Sequence, residues 1–262
     1  MGLAMKYIGF DFDGEYLHGK EWNGKLRKLY YYCDRCPSLL FEGGLSNGEK
    51  NGKGKKYYDN GNLKFEGEYL NGKKWNGKGY NNRGELEFEL KNGNGKVKEF
   101  YVIGNLKFEG EYFNGKKWNG KGYNDKDSNV EYELINGNGK VKEYSGLFGE
   151  LKFEGEYLNG EKSGYGKERN CNNIFVFEGE YKKGKRWNGE LKEYYSSAFK
   201  SKFEGHLING EKTGKGKEYY YDGNIKFEGE YLNGERNGFG REYDEAGDLI
   251  FEGEYLEGKR KI

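Results

Sequence analysis

The sequence predicts an all-β fold, an elongated single-layer antiparallel sheet built from tandem β-hairpin repeats. The pentapeptide Phe-Glu-Gly-Glu-Tyr occurs six times, and five near or divergent copies bring the number of repeat starts to eleven. The starts are 21 to 29 residues apart, which indicates stacked copies of one small unit. Aromatic residues make up 18% of the chain, which argues against disorder. The starts are Phe12, Phe41, Phe65, Leu86, Phe108, Val130, Phe153, Phe177, Phe203, Phe227 and Phe251.

The first half of each repeat has the alternation of a strand with two different faces. In the repeat at Phe65, the residues Phe65, Gly67 and Tyr69 share one face, and Glu66 and Glu68 point to the other. An isolated hairpin is only marginally stable. We therefore expect successive hairpins to pair edge to edge, with Glu and Lys facing each other across neighbouring strands.

The second half of each repeat is a turn followed by a returning strand. Asn71-Gly72 is typical of a two-residue hairpin turn, and Gly77-Lys78-Gly79 opens the return. We expect Gly67 to lie opposite Gly79, which leaves bare backbone between aromatic rings. The two divergent repeats hold large residues at both positions, namely Phe88 with Val97 and Tyr132 with Val141.

The segment between the turn and the return falls into three length classes, which predict three loop lengths. All four tryptophans lie in the longest class, so we expect each of them at a hairpin tip. A tryptophan at a tip either folds back onto the array or is offered to a partner, and the sequence leaves both arrangements open. The four are Trp22, Trp75, Trp118 and Trp187.

These features predict residues 1–11 as a lead-in or capping strand and residues 12–262 as one array of ten hairpins plus a terminal half repeat. A loop is expected to be inserted at about residues 30–40. It contains Cys33 and Cys36, which lack the second pair of ligands that a zinc site needs, so we expect no metal and no cofactor. Three cysteines, an odd number, fit a reducing compartment.

Charge and composition exclude several classes of function. Lys and Arg number 45 against 44 Asp and Glu, and a net charge of +1 gives no field that would attract nucleic acid. The chain has no run of eighteen apolar residues and no signal-peptide pattern, so a cytoplasmic location is expected. The glutamates recur in every repeat, whereas catalysis needs one singular constellation. We therefore do not expect an enzyme.

The repeated pattern of aromatic-Glu-Gly-Glu-aromatic, Asn-Gly and Gly-x-Gly resembles the MORN repeat (membrane occupation and recognition nexus). Residues 41–58 and 227–243 carry the closest matches, and the resemblance extends from about residue 12 to 262. It implies a twisted antiparallel sheet lined on one face by aromatic rings. It also implies a scaffold that holds proteins together, often near membranes or the cytoskeleton, and members of the family have been ascribed lipid headgroup binding.

Three functional hypotheses follow from these observations. The first is a non-catalytic scaffold that binds an extended or helical protein segment along an aromatic- and glycine-lined face, through Trp75, Trp118, Trp187, Tyr69, Tyr112 and Tyr181. The second is a peripheral membrane protein that binds anionic headgroups through Lys73, Lys74, Lys116 and Lys117. The third is a carbohydrate-binding module. The open edge of the last strand also suggests a homodimer through the carboxyl-terminal edge.

Overall fold

The computed structural model of the chain describes residues 7–17, 20–31, 37–58, 60–101, 103–124, 129–145, 150–170, 174–195 and 200–261. These residues form strands and turns and no helix. The all-β fold built from tandem antiparallel hairpins is therefore confirmed. Cys33, Cys36 and the centre of the loop expected around them lie outside the described residues. On either side of that gap, strand pairing continues as far as Tyr31 and Pro37.

The described residues contain 23 strands. They are β1 (Tyr7–Leu17), β2 (Lys20–Tyr31), β3 (Pro37–Ser46), β4 (Glu49–Tyr57), β5 (Leu63–Leu70), β6 (Lys73–Tyr80), β7 (Leu86–Leu90), β8 (Gly95–Phe100), β9 (Leu106–Phe113), β10 (Lys116–Tyr123), β11 (Val130–Leu134), β12 (Gly139–Ser145), β13 (Glu150–Leu158), β14 (Glu161–Arg169), β15 (Phe175–Lys182), β16 (Lys185–Tyr194), β17 (Ser201–Ile208), β18 (Glu211–Lys212), β19 (Gly214–Tyr219), β20 (Ile225–Leu232), β21 (Glu235–Tyr243), β22 (Leu249–Leu256) and β23 (Lys259–Arg260).

The chain divides into two compact modules. The first comprises residues 1–150 and 158–160, and the second comprises residues 151–157 and 161–262. In the first module, β1 to β7 follow one another in one sheet, and β8 to β11 form another. In the second module, the strands from β14 to β23 are hydrogen-bonded in chain order, with the short β18 paired to β17. Successive hairpins therefore pair edge to edge, as the repeat pattern predicted.

The turns that the structure describes within the repeats, from residue 47 onward, have two residues, and both residues have positive φ, as a type I′ turn requires. Asparagine occupies the first position in most of them because it tolerates the left-handed region better than other residues with a side chain. The turns are Asn47-Gly48, Asn71-Gly72, Asn92-Gly93, Asn114-Gly115, Asn136-Gly137, Asn159-Gly160, Lys183-Gly184, Asn209-Gly210, Asn233-Gly234 and Glu257-Gly258.

The turn at Lys183 is expected to be less stable than the asparagine turns, and one substitution should remove the difference. Lys183 has a φ of 51°, and lysine has no local hydrogen bond with which to support that conformation. We expect Lys183→Asn to raise the free energy of unfolding by roughly 0.5–1 kcal/mol. The reciprocal variant Asn209→Lys should lower it by a similar amount, as measured by urea denaturation. Equal stability of both variants and the wild type would contradict this account.

The strand register differs from the expected one in the repeats that contain tryptophan. Where the return is short, the third residue of the first strand pairs with the second glycine, as Gly43 does with Gly54. In the repeat at Phe65, however, Gly67 pairs with the first glycine, Gly77. The predicted pairing of Gly67 with Gly79 is therefore wrong.

Bulges of different size explain this difference of register. In the repeat at Phe41, residues 51–53 lie opposite the single residue Gly44, whereas the repeat at Phe65 skips one residue. Lys74 pairs with Tyr69 and Asn76 pairs with Glu68, so Trp75 is an extra residue within the strand. The same skip occurs in strands β2, β10 and β16. The prediction of a long loop with tryptophan at its tip is wrong, because the turn has two residues and the added length is taken up inside the returning strand.

The divergent repeats interrupt the strand ladder. Among the described residues, β7 and β8 are joined by a single isolated bridge, Lys91 to Asn94. In the part of the chain that the structure describes, no ladder pair joins Phe88 to Val97, which sequence reasoning placed opposite each other. On its other side Phe88 pairs with Gly79, and a Cβ on that glycine would lie 2.1 Å from the Phe88 ring. The second divergent repeat has the same break between β11 and β12.

Candidate functional site

The face that carries the aromatic rings is a closed core. The first phenylalanine of each of seven repeats is at most 2% exposed. Neighbouring rings meet edge to face, as Phe227 and Tyr255 do with centroids 5.1 Å apart, an arrangement that stabilises aromatic cores. The seven phenylalanines are Phe41, Phe65, Phe108, Phe153, Phe177, Phe203 and Phe227.

A basic side chain covers the first ring in eight repeats. It is always the second residue after the turn glycine, and we call it the capping cation. The ammonium group of Lys162 lies 3.8 Å from the centroid of Phe153, and the guanidinium of Arg236 lies 4.2 Å from that of Phe227. The first rings of these repeats, which were expected to line an open face, are therefore covered. The eight capping cations are Lys50, Lys74, Lys117, Lys162, Arg186, Lys212, Arg236 and Arg260.

A glutamate of the preceding returning strand holds most of these cations. Glu218 pairs in the ladder with Phe227, accepts a hydrogen bond of 2.6 Å from the Tyr231 hydroxyl, and lies 2.7 Å from Arg236. We call this place in the returning strand the carboxylate position. Glu99, Glu168, Glu193 and Glu242 also occupy it. Sequence reasoning missed this network. A signal for it recurs along the chain, since several returning strands end in Lys-Glu followed by an aromatic residue.

Two of the three tyrosines that were predicted to bind a partner belong to the same network. Tyr69 and Tyr181 are each 4% exposed, and Tyr112 is half-buried. The Tyr181 hydroxyl donates to Glu168, and the Tyr112 hydroxyl donates to Glu99. The Tyr112 and Tyr181 side chains serve the core, so they do not offer anchors on a free surface.

The tryptophans fold onto the array, which is one of the two arrangements that the sequence left open. Trp75 is half-buried, and its ring lies over Gly93, the turn glycine of the next repeat. The Gly93 amide donates to the Trp75 carbonyl at 2.7 Å, and the Asn92 amide donates to Oδ1 of Asn76 at 2.7 Å. Trp22, Trp118 and Trp187 make the same carbonyl contact with the next turn. The Trp-Asn pair therefore clamps one hairpin tip to the next.

Two of the four lysines of the membrane hypothesis lie away from the hairpin tips. Lys74 and Lys117 are capping cations, 2.9 Å and 3.7 Å from the carboxylate of Glu99, and their side chains are only 13% exposed. Lys116 donates to a turn carbonyl of a later repeat, and Lys73 is half-buried. The predicted tip position is therefore wrong for Lys74 and Lys117, whereas Lys73 and Lys116 directly follow their turns.

An open groove lies on the opposite face, where the glutamates and lysines of the ladder point. Its floor in the first module is a row of four glycines on adjacent strands, from Gly43 through Gly54 and Gly67 to Gly77. Seen from this face, their backbone forms the bottom of a depression of about 910 Å³ between two rows of charged side chains. We call it the glycine groove.

The walls of the glycine groove carry alternating charges. Along one wall Lys55 pairs in the ladder with both Glu42 and Glu66, so the sign of the charge changes from each strand to the next. Tyrosine hydroxyls hold the carboxylates, as Tyr57 does by donating to Glu42 at 2.8 Å. Burial and this carboxylate raise the pKa of Tyr57 to about 12, so the hydroxyl remains a donor.

The second module has a groove of the same kind, with a volume of about 610 Å³. The ion pairs along it are formed, with Lys217 3.3 Å from Glu228 and Arg241 3.0 Å from Glu252. Phe239 stands in this groove and is 52% exposed. The predicted pairing of Glu with Lys or Arg across strands is confirmed at these positions.

Comparison with known proteins supports the repeat reading. The MORN repeat family model matches four segments, residues 41–63, 153–173, 203–225 and 227–249. No curated protein matched the chain. None of the described residues forms a helix that is long and apolar enough to cross a membrane. MORN repeats are often involved in membrane or protein interactions. The matched segments and the hairpins that repeat their pattern identify this chain as a MORN-repeat protein.

Proposed function

We propose that this protein is a non-catalytic scaffold that binds an extended or helical protein segment along the glycine groove. The observation that carries the proposal is the row from Gly43 to Gly77 with its charged walls. The groove is open and long, and it crosses four strands, which suits a chain segment better than an enclosed small molecule. The location that fits this role is the cytoplasm.

The charges on the walls define the kind of segment that would bind. Basic and acidic side chains are nearly balanced around the groove, so a segment with charges of both signs would be complementary. Electrostatic complementarity of this kind contributes to specificity and to the association rate more than to affinity. The floor between the charged side chains is backbone, which lets the backbone or the small side chains of the segment approach closely. The residues of the walls include Lys53, Lys55, Lys78, Glu42, Glu66, Glu68 and Glu89.

Affinity purification from the native cell tests this function when the wild type is compared with a variant whose groove lysines are replaced by glutamate. We expect Lys53→Glu/Lys55→Glu to capture at least tenfold less of the partners that the wild type retains. Both substitutions place a negative charge against the acidic groups of the segment that the lysines would contact. Lys140→Glu is the control, since Lys140 is exposed and lies outside the groove. Retention of the same partners by the double variant, with an unchanged circular-dichroism spectrum, would refute the groove as the binding site.

A further inference from the structure

We call the face that carries the aromatic rings the ring face. On this face, the repeat at Phe41 has basic residues at the two places where the repeat at Phe227 has glutamates. In the second module, Arg236 lies between two carboxylate positions, 2.7 Å from Glu218 and 3.2 Å from Glu242. The hydroxyls of Tyr231 and Tyr255 donate to the same two glutamates. A capping cation and a tyrosine thus share each carboxylate.

Lysine stands at both corresponding positions around the capping cation Lys50. Lys56 pairs in the ladder with Phe41 and with Phe65, as Glu218 does with the phenylalanines on either side of it. Lys28 pairs with Phe41 at the preceding carboxylate position. The repeat pattern is therefore kept, while the sign of the charge is reversed.

This reversal leaves groups at the ring face that are suited to an anion. The Tyr69 hydroxyl is buried and has no hydrogen-bond partner, whereas the equivalent hydroxyl of Tyr231 donates to Glu218. Lys50 lies 4.0 Å from the Phe41 ring centroid, and among the described residues it contacts rings and no carboxylate. Burial, and after it the charges of neighbouring lysines, lowers the pKa of Lys50 to about 8.

We propose that this place binds the carboxylate of an aspartate or glutamate side chain supplied by a partner protein. Other repeats hold a carboxylate at the equivalent position with one tyrosine hydroxyl and one capping cation, so the geometry is that of a carboxylate site. Lys28 is exposed and Lys50 is half-buried, which leaves the position open to an incoming side chain. The site is on the ring face and is independent of the glycine groove.

An acidic peptide tests the proposal. We expect an acetylated and amidated hexaglutamate peptide to bind the full chain at low salt in isothermal titration calorimetry. Lys56→Glu restores the internal carboxylate. It should reduce the affinity for the peptide at least tenfold and raise the thermal midpoint by about 2–4 °C. Tyr69→Phe should reduce the affinity about tenfold because it removes one hydrogen bond to a charged group.

Two matched variants separate this site from the groove and from net charge. Lys55 is the neighbour of Lys56 on the opposite face, so Lys55→Glu should retain the peptide while weakening capture of groove partners. Lys140→Glu makes the same change of net charge at an exposed position and should also retain the peptide. Absence of peptide binding to the wild type, or equal binding to Lys56→Glu, would overturn the proposal. Binding to phosphatidylserine vesicles that depends on Lys56, without peptide binding, would also overturn it.

Discussion

Replacing Gly67 by alanine is expected to destabilise the first module by about 3 kcal/mol or more. A Cβ at this position would lie 2.0 Å from the carbonyl oxygen of Asn76 and 2.6 Å from the Cα of Gly77. Both atoms belong to the backbone of the paired strand, so the clash is relieved only by breaking the ladder. Urea denaturation followed by circular dichroism measures the loss.

Gly54 provides the matched control for this prediction, because it pairs directly with Gly67 in the same row. A Cβ on Gly54 would meet the Phe41 ring at 3.1 Å and a backbone oxygen at 3.2 Å, which are tight contacts that small shifts relieve. We expect Gly54→Ala to cost about 1 kcal/mol. Equal losses for the two variants would show that close backbone approach is not the reason for the glycine row.

Glu99→Gln is expected to cost about 3–5 kcal/mol, because it removes the negative member of a buried charge cluster. The carboxylate lies 2.9 Å from Lys74 and 3.7 Å from Lys117, and it accepts a hydrogen bond of 2.9 Å from Tyr112. Glutamine keeps the shape of the side chain but leaves two buried ammonium groups without their counter-charge. Thermal and urea denaturation should both report the loss.

The pH dependence of stability gives a second measurement of Glu99. Burial alone would raise its pKa, but Lys74, Lys117 and then Lys64 bring the pKa well below the ordinary value of 4.5. A carboxylate with a lowered pKa contributes its full stabilisation above the pKa of the unfolded chain and loses it as the pH falls through the folded value. The difference between wild type and Glu99→Gln should therefore be complete at neutral pH and shrink below about pH 4.5.

Glu109→Gln is the control for the buried cluster. Glu109 lies 3.0 Å from Lys98 on the face opposite the aromatic rings, and both side chains are about half exposed, at 45% and 50%. An exposed pair of this kind contributes about 0–1 kcal/mol. A loss at Glu109 as large as that at Glu99 would mean that burial does not distinguish the two faces of the sheet.

The sequence by itself determined the repeat, the strands and the turns. The alternation in Phe-Glu-Gly-Glu-Tyr assigns Phe65 to one face and Glu66 to the other, and Asn71-Gly72 requires a turn with positive φ at both residues. These are local properties of the chain, set by the pleat and by the conformations that each residue allows. They were sufficient to predict an all-β fold of tandem hairpins.

Only the tertiary structure decided which face is open. The bulge at Trp75 shifts the register by one residue, and nothing in the local sequence states that a tryptophan is skipped in pairing. The capping cations come from the returning strands, and their carboxylates come from neighbouring repeats, so the closure of the ring face depends on contacts between residues about 18 positions apart, such as Arg236 and Glu218. Those contacts cover the rings, so the opposite face, with the glycine groove between its charged side chains, is the accessible surface.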